Sequence, residues 1–237
     1  MKKTICVLTL CMIITGFYSC KKIVGKGDVT LENRTMTGYN SVSVAMDATV
    51  HLQVAQQYSM MVSAQENLLP YIETVLEGTR LVVKLKNNYV LGKHEQITIT
   101  IEAPNVSSFD VSGSGEIFVT RPLVAPNLVM TVSGSGGIKI DTISVTNVES
   151  MISGSGNIYV ASGIAGRSDV TISGSGTTDI IGITSDKVYT TISGSGNIYC
   201  YAESYLKAVI SGSGNIYYLG TPVVDTQISG SGSVIHL

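Results

Sequence analysis

The residue types here that could do chemistry are serine, glycine, asparagine, tyrosine and a few acids, and their spacing says more than their number. Ser-Gly-Ser-Gly begins at Ser112, Ser133, Ser153, Ser173, Ser193, Ser211 and Ser229, in steps of 21, 20, 20, 20, 18 and 18 residues. A glycine-rich loop can cradle phosphate, but a P-loop needs Gly-x-x-x-x-Gly-Lys-Ser/Thr between a strand and a helix, and none is present. A dinucleotide fingerprint fails because no helix follows the glycines. Calcium-binding β-roll turns require an aspartate beside the glycines. Serine holds that place in this chain, so the hydroxyls read as partners for turn backbone groups.

Other chemistry is equally thin. Glycoside cleavage needs two carboxylates, or an acid with a cation, on one face. Glu116, Lys139 and Asp179 are the candidates, and they sit one or more repeats apart, which reads as scattered surface charge. The serines have no recurring histidine partner, so a Ser-His-Asp triad has no support. His51, His94 and His236 lack metal-ligand spacing. The chain reads as a non-enzyme with no cofactor and no metal.

A row with recognition potential lies six residues after the first serine of each copy: Phe118, Lys139, Tyr159, Asp179, Tyr199, Tyr217 and Ile235. Asn157, Asn197 and Asn215 stand two residues before the three tyrosines, on the same face of an extended strand. Aromatic rings beside amides suit a glycan or protein ligand. The plainer alternative, which we favour at this stage, is a self-stacking ladder that only stabilises the fold, each cross-strand pair being worth ~0.2–1 kcal/mol.

The chain opens with Met1-Lys2-Lys3, an apolar run from Ile5 to Phe17, and Ser19-Cys20. That is the form of a secretory leader. The run falls short of the roughly 20 residues that span a bilayer. Gly16-Phe17-Tyr18-Ser19-Cys20 resembles a bacterial lipobox, with Phe17 where leucine is usual, and makes Cys20 the lipidated first residue. Cys6 and Cys11 leave with the leader, so Cys200 is the only other thiol and no internal disulfide can form. Without Lys2 and Lys3 the balance is 13 cations against 17 acids, which disfavours nucleic acid as a partner. The expected partners are a membrane, through the anchor, and a glycan or protein ligand. The expected location is the bacterial outer membrane, facing the periplasm or the exterior.

The elements that must position these rows are strands. A β-branched residue precedes every copy, from Val111 and Val132 through Ile152, Ile172, Ile192 and Ile210 to Ile228. A second row, Ile117, Ile138, Ile158, Thr178, Ile198, Ile216 and Val234, follows six residues later. An even separation puts both rows on one face, the interior. Uniform copies every 20 residues or so fit a right-handed parallel β-helix of about seven coils, in which like residues stack ~4.8 Å apart. Six such steps make a rod of roughly 29 Å. The motif itself reads equally well as mid-strand or as a corner with positive φ at a glycine.

The expected organisation is a leader over 1–19, a lipid-anchored flexible tether over 20–27 and one solenoid domain over 28–237, with 28–108 as a β-rich cap and 109–237 as the repeat coils. In the cap, alternation predicts strands at Ser41–Val44, Val50–Val54, Met60–Ala64, Leu81–Leu85 and Gln96–Ile101. Glu66–Leu76 suggests a helical turn with Asn67 as N-cap and Pro70 early in it. The chain stops five residues after its last motif, so the final coil is expected to pair with another subunit or a partner.

The repeated Ser-Gly-Ser-Gly-Asn-Ile of Ser153–Ile158, Ser193–Ile198 and Ser211–Ile216, with Glu66-Asn67-Leu68 and Gly78-Thr79-Arg80-Leu81 upstream, resembles the auto-transporter adhesin-like "head GIN" domain family of Bacteroidetes-type bacteria. The resemblance covers nearly all of the chain after the leader. It implies a parallel β-helix outside the cytoplasm and an adhesin or surface-interaction role, with no binding residues to carry over. A carbohydrate-active β-helix protein and a purely structural envelope component are the alternatives.

Overall fold

The computed structural model describes residues 20–237; the leader expected over 1–19 lies outside the described residues. Nine strands lie in the first part of this span: β1 (Lys21–Ile23), β2 (Val29–Asn33), β3 (Ser41–Ala45), β4 (Thr49–Val54), β5 (Ser59–Gln65), β6 (Ile72–Glu77), β7 (Arg80–Leu85), β8 (Tyr89–Leu91) and β9 (Thr98–Ala103). Ten follow: β10 (Ser108–Gly113), β11 (Glu116–Val119), β12 (Leu123–Gly134), β13 (Gly137–Gly154), β14 (Asn157–Gly174), β15 (Thr177–Gly194), β16 (Asn197–Gly212), β17 (Asn215–Leu219), β18 (Val223–Gly230) and β19 (Ser233–His236). The only helix among the described residues is a 3-10 turn at Leu69–Tyr71.

From β10 onward every pairing between coils is parallel, and all but that of β15 with β16 keep one register throughout. Val132 lies beside Ile152, and the row continues through Ile172, Ile192 and Ile210 to Ile228. The second row joins Ile117, Ile138, Ile158, Thr178, Ile198, Ile216 and Val234 in the same way. Both rows point inward and all but their last members are buried. Each enclosed isoleucine contributes ~1.5–3 kcal/mol. Thr178, the exception in its row, meets the Ser150 hydroxyl at 3.4 Å, and buried Ser168 and Ser185 pair at 2.8 Å, so polar groups inside the coil are partnered.

The motif is a corner. Its first glycine has φ between +116° and +146° in all seven copies, a region that L side chains avoid. The carbonyl of Gly154 accepts from the N–H groups of Ser175 and Gly176 in the next coil, at 2.8 and 3.1 Å. Both serines of each inner copy are exposed, while the second glycine is buried under the corner of the neighbouring coil. Seven once-per-turn corners bound about six turns, one fewer than expected, because the last copy leads into β19, which has 4 residues and not a full coil. The step of 18 residues is absorbed between β15 and β16, where the register shifts between Ile180 and Thr184 and again between Ser185 and Lys187.

Parallel stacking also continues below the first copy. β10 rests on β3 and β3 on β7, while β11 rests on β4 and β4 on β9. Antiparallel β6 covers the edge of β7, and antiparallel β5 that of β9. Two sequence expectations change here. Residues 21–27 are not a loose tether: β1 pairs in parallel with β8, from Lys21 beside Tyr89 to Ile23 beside Leu91. Asn67 does not cap the turn at Leu69. Its side chain accepts from the Lys26 N–H at 2.7 Å and donates to the Val24 carbonyl at 2.9 Å, so it holds this N-terminal strand down.

Candidate functional site

The outward row expected from the spacing exists and is longer than the sequence suggested. Register places His51, Phe118, Lys139, Tyr159, Asp179, Tyr199, Tyr217 and Ile235 side by side, one per rung. Residues alternate along each strand, so Asn157, Asn197 and Asn215 form a parallel row two positions away on the same face. Gly137 and Thr177 flank Asn157 in that row.

The side chains group into three contacts. His51 stacks on Phe118, with ring centroids 5.4 Å apart, and Lys139 Nζ lies 5.2 Å over the other side of Phe118. Tyr199 and Tyr217 stack face to face at 4.7 Å with an 8° interplanar angle. Beneath them the Asn215 amide donates to Asn197 Oδ1 at 3.5 Å, and Asn215 Oδ1 accepts from the Ser233 N–H at 3.1 Å. Tyr159 stands apart, 42% exposed, with Lys139 on one side and Asp179 on the other. The three tyrosines are therefore not one ladder. Tyr199 and Tyr217 satisfy each other, while Tyr159 presents its ring to solvent between a cation and an acid.

The acids do not form a catalytic pair. Glu116 lies in the asparagine row three rungs from Asp179, about 14 Å at ~4.8 Å per rung. Carboxylates that cleave glycosides stand roughly 5–9.5 Å apart. A cleft of about 550 Å³ beside the cap is lined by Asp47, Asn88, Tyr89, His94 and Ser114. His94 Nε2 faces Asp47 at 3.7 Å and its Nδ1 sits 2.6 Å from the Glu95 carbonyl. Among the described residues no three His, Cys, Asp or Glu side chains converge as metal ligands. Cys20 is exposed; Cys200 is buried, and desolvation pushes its thiol up to about 12.

One cluster was missed in the sequence. On another face Arg167 lies 4.0 Å over the Tyr189 ring and makes a two-pronged ion pair with Asp169 at 2.6 Å. Tyr189 packs against Tyr205 at 5.7 Å, and the Tyr205 hydroxyl donates to Asp225. Register pairs Tyr189 with Lys207 and Tyr205 with Lys187, so the two rings meet across a diagonal that the repeat step in the sequence does not mark.

Corner glycines, in-register parallel rungs and an antiparallel cap define a parallel β-solenoid. The chain belongs to the family described as "Putative auto-transporter adhesin, head GIN domain", which it matches over residues 38–222. No curated protein matches it. Among solved structures it is similar to a putative lipid binding protein from Parabacteroides distasonis ATCC 8503, at 25% identity and TM-score 0.78 over 92% of this chain and 100% of that one. It is also similar to a putative adhesin from Bacteroides fragilis NCTC 9343, at 17% identity and TM-score 0.86 over 91% and 100%. A third, a putative adhesin from Parabacteroides merdae ATCC 43184, shares 20% identity at TM-score 0.74 over 92% and 99%.

Proposed function

We propose that this chain is a non-enzymatic lipoprotein of the bacterial cell envelope, exported, anchored in the outer membrane through Cys20, and built to present a rigid side-chain array to a glycan or protein ligand. The carrying observation is the outward face around Tyr159, with the Asn157 amide two residues away and Lys139 and Asp179 one rung to either side. An exposed ring beside an amide, a cation and an acid is suited to polar ligands with apolar faces. Backbone pairing on both sides fixes it, so little conformational entropy is lost on contact. The wide separation of Glu116 from Asp179 favours binding over turnover.

The name of the Parabacteroides distasonis structure raises lipid as a ligand. The coil interior of this chain is filled by stacked Val, Ile and Leu side chains, which leaves an acyl chain no internal place. Any lipid contact therefore belongs to the outside.

The test is a glycan and matrix-protein binding screen of residues 21–237, repeated with Tyr159→Ala and with Tyr199→Ala/Tyr217→Ala. Loss of at least tenfold in affinity is expected for Tyr159→Ala and a smaller loss for the stacked pair. Binding that survives all three substitutions removes this face from recognition. Palmitate labelling that persists in Cys20→Ala removes the anchor.

A further inference from the structure

The unexpected ribbon of β1 and β8 has two faces. Ile23 and Leu91 pack against the core. The opposite face carries Lys22 beside Val90 in register. Lys22 and Val24 lie together over Gly92, where a Cβ would stand 2.9 Å from Lys22 Cε and 3.0 Å from Val24 Cγ2. Val24 and Val90 are 42% and 43% exposed. Lys21, Lys26, Lys86 and Lys93 flank the ribbon along the chain and, with Lys22, are exposed. No ion pair among the described residues involves any of the five. Residues 20–27 and 84–94 contain six lysines and no acid; Lys84, the sixth, faces Glu77 at 3.7 Å.

Charge is divided along the whole molecule in the same sense. Residues 21–93 hold eight Lys and Arg against six Asp and Glu, while 94–237 hold five against eleven. The ribbon is also rigidly placed. Lys21 N–H donates to the Asn88 carbonyl at 2.8 Å, Gly25 N–H to Lys93 at 3.0 Å, and Asn67 clamps Val24 and Lys26.

The geometry points to the β1–β8 ribbon as a membrane-docking surface that lays Val24 and Val90 against a bilayer and its lysines against anionic lipid headgroups. Lysines at such a surface gain attraction from its negative potential, and exposed apolar side chains enter the headgroup boundary. The acidic coils are repelled by the same surface, so the rod projects away from it. This rests on reading Cys20, immediately before β1, as the anchor, although the surface itself can be measured without acylation.

The test uses residues 20–237 carrying Cys20→Ser, so that no lipid is attached, in sedimentation with large unilamellar vesicles. Binding is expected to vesicles of phosphatidylcholine with 30% phosphatidylglycerol, and to fall at least tenfold on pure phosphatidylcholine or in 0.5 M salt. Lys22→Glu/Lys26→Glu/Lys86→Glu/Lys93→Glu should lower binding to the anionic vesicles at least tenfold. Arg121→Glu/Lys187→Glu/Lys207→Glu on the coils should leave it within twofold, with circular dichroism unchanged in both. Equal binding to neutral vesicles, equal loss in the coil variant, or binding to a soluble polyanionic glycan with none to vesicles overturns the proposal. Absence of palmitate labelling in the native protein would sink the anchor and leave this result standing.

Discussion

At the scale of single residues the repeat is governed by what a side chain would meet. Gly113 and Gly154 both have positive φ, at +116° and +137°, but their surroundings differ. A Cβ on Gly113 meets nothing within 4 Å, whereas one on Gly154 stands 2.5 Å from the Gly134 carbonyl oxygen. Gly113→Ala should therefore cost only the backbone strain, about 1–2 kcal/mol. Gly154→Ala should cost a further ~1–3 kcal/mol of overpacking. Thermal melting of the two variants reads the difference, and equal midpoints would show that stacking does not set the glycine requirement. The inward rows were legible in the sequence, as residues that recur at a constant step on one face. The corner was not: a positive φ leaves no mark beyond glycine, and glycine also serves mid-strand where another backbone approaches.

At the scale of elements, the instructive case is β1. Lys-Lys-Ile beside Val-Gly-Lys gives no alternation long enough to announce a strand, and its partner β8 is just as short. Such segments pair because something else holds them. Here it is Asn67, whose amide bridges Val24 and Lys26, assisted by Gln65, which donates to the Gly27 carbonyl at 3.3 Å and accepts from the Glu95 N–H at 3.0 Å. Asn67→Ala should release residues 21–27 while leaving the coils intact. Hydrogen exchange at Lys21, Gly25 and Lys26 should accelerate at least tenfold, with amides in β13 to β16 unaffected. Unchanged protection at Lys26 would mean that pairing with β8 suffices alone. The expectation of a helix cap at Asn67 failed because capping and long-range clamping use the same side-chain chemistry, and only the fold says which backbone is within reach.

For the whole molecule, quasi-one-dimensional stacking makes each coil depend on its neighbours and leaves the ends special. The N-terminal edge is covered by antiparallel strands. Among the described residues β18 and β19 pair on one side only, with β16 and β17, and every residue of β18 is exposed, Val223, Val224 and Ile228 among them. We propose that this edge takes a second copy of the chain, since open backbone groups and exposed valines recruit strands. Light scattering should show mass rising with concentration, and Val224→Lys/Ile228→Lys should return it to the monomer. A constant monomer mass across the concentration range would refute self-pairing.

The amino-acid sequence by itself determined the period, the inward rows, the parallel coil and the outward row from Phe118 to Ile235, because each depends on residues that recur at a constant step and every rung copies the one before. Only the tertiary structure decided the turn count, the docking of residues 21–27 and the grouping of Tyr199 with Tyr217 while Tyr159 stands free. It also revealed the Arg167, Tyr189 and Tyr205 cluster. These depend on contacts between residues 16 to 69 positions apart or on where a register shift falls, and no local pattern records them. The Ser-Gly-Ser-Gly copies, which first suggested a ligand cradle, are corners whose carbonyls are taken by the next rung. In the function proposed above, recognition falls to the variable side chains around them and to the basic ribbon of β1 and β8.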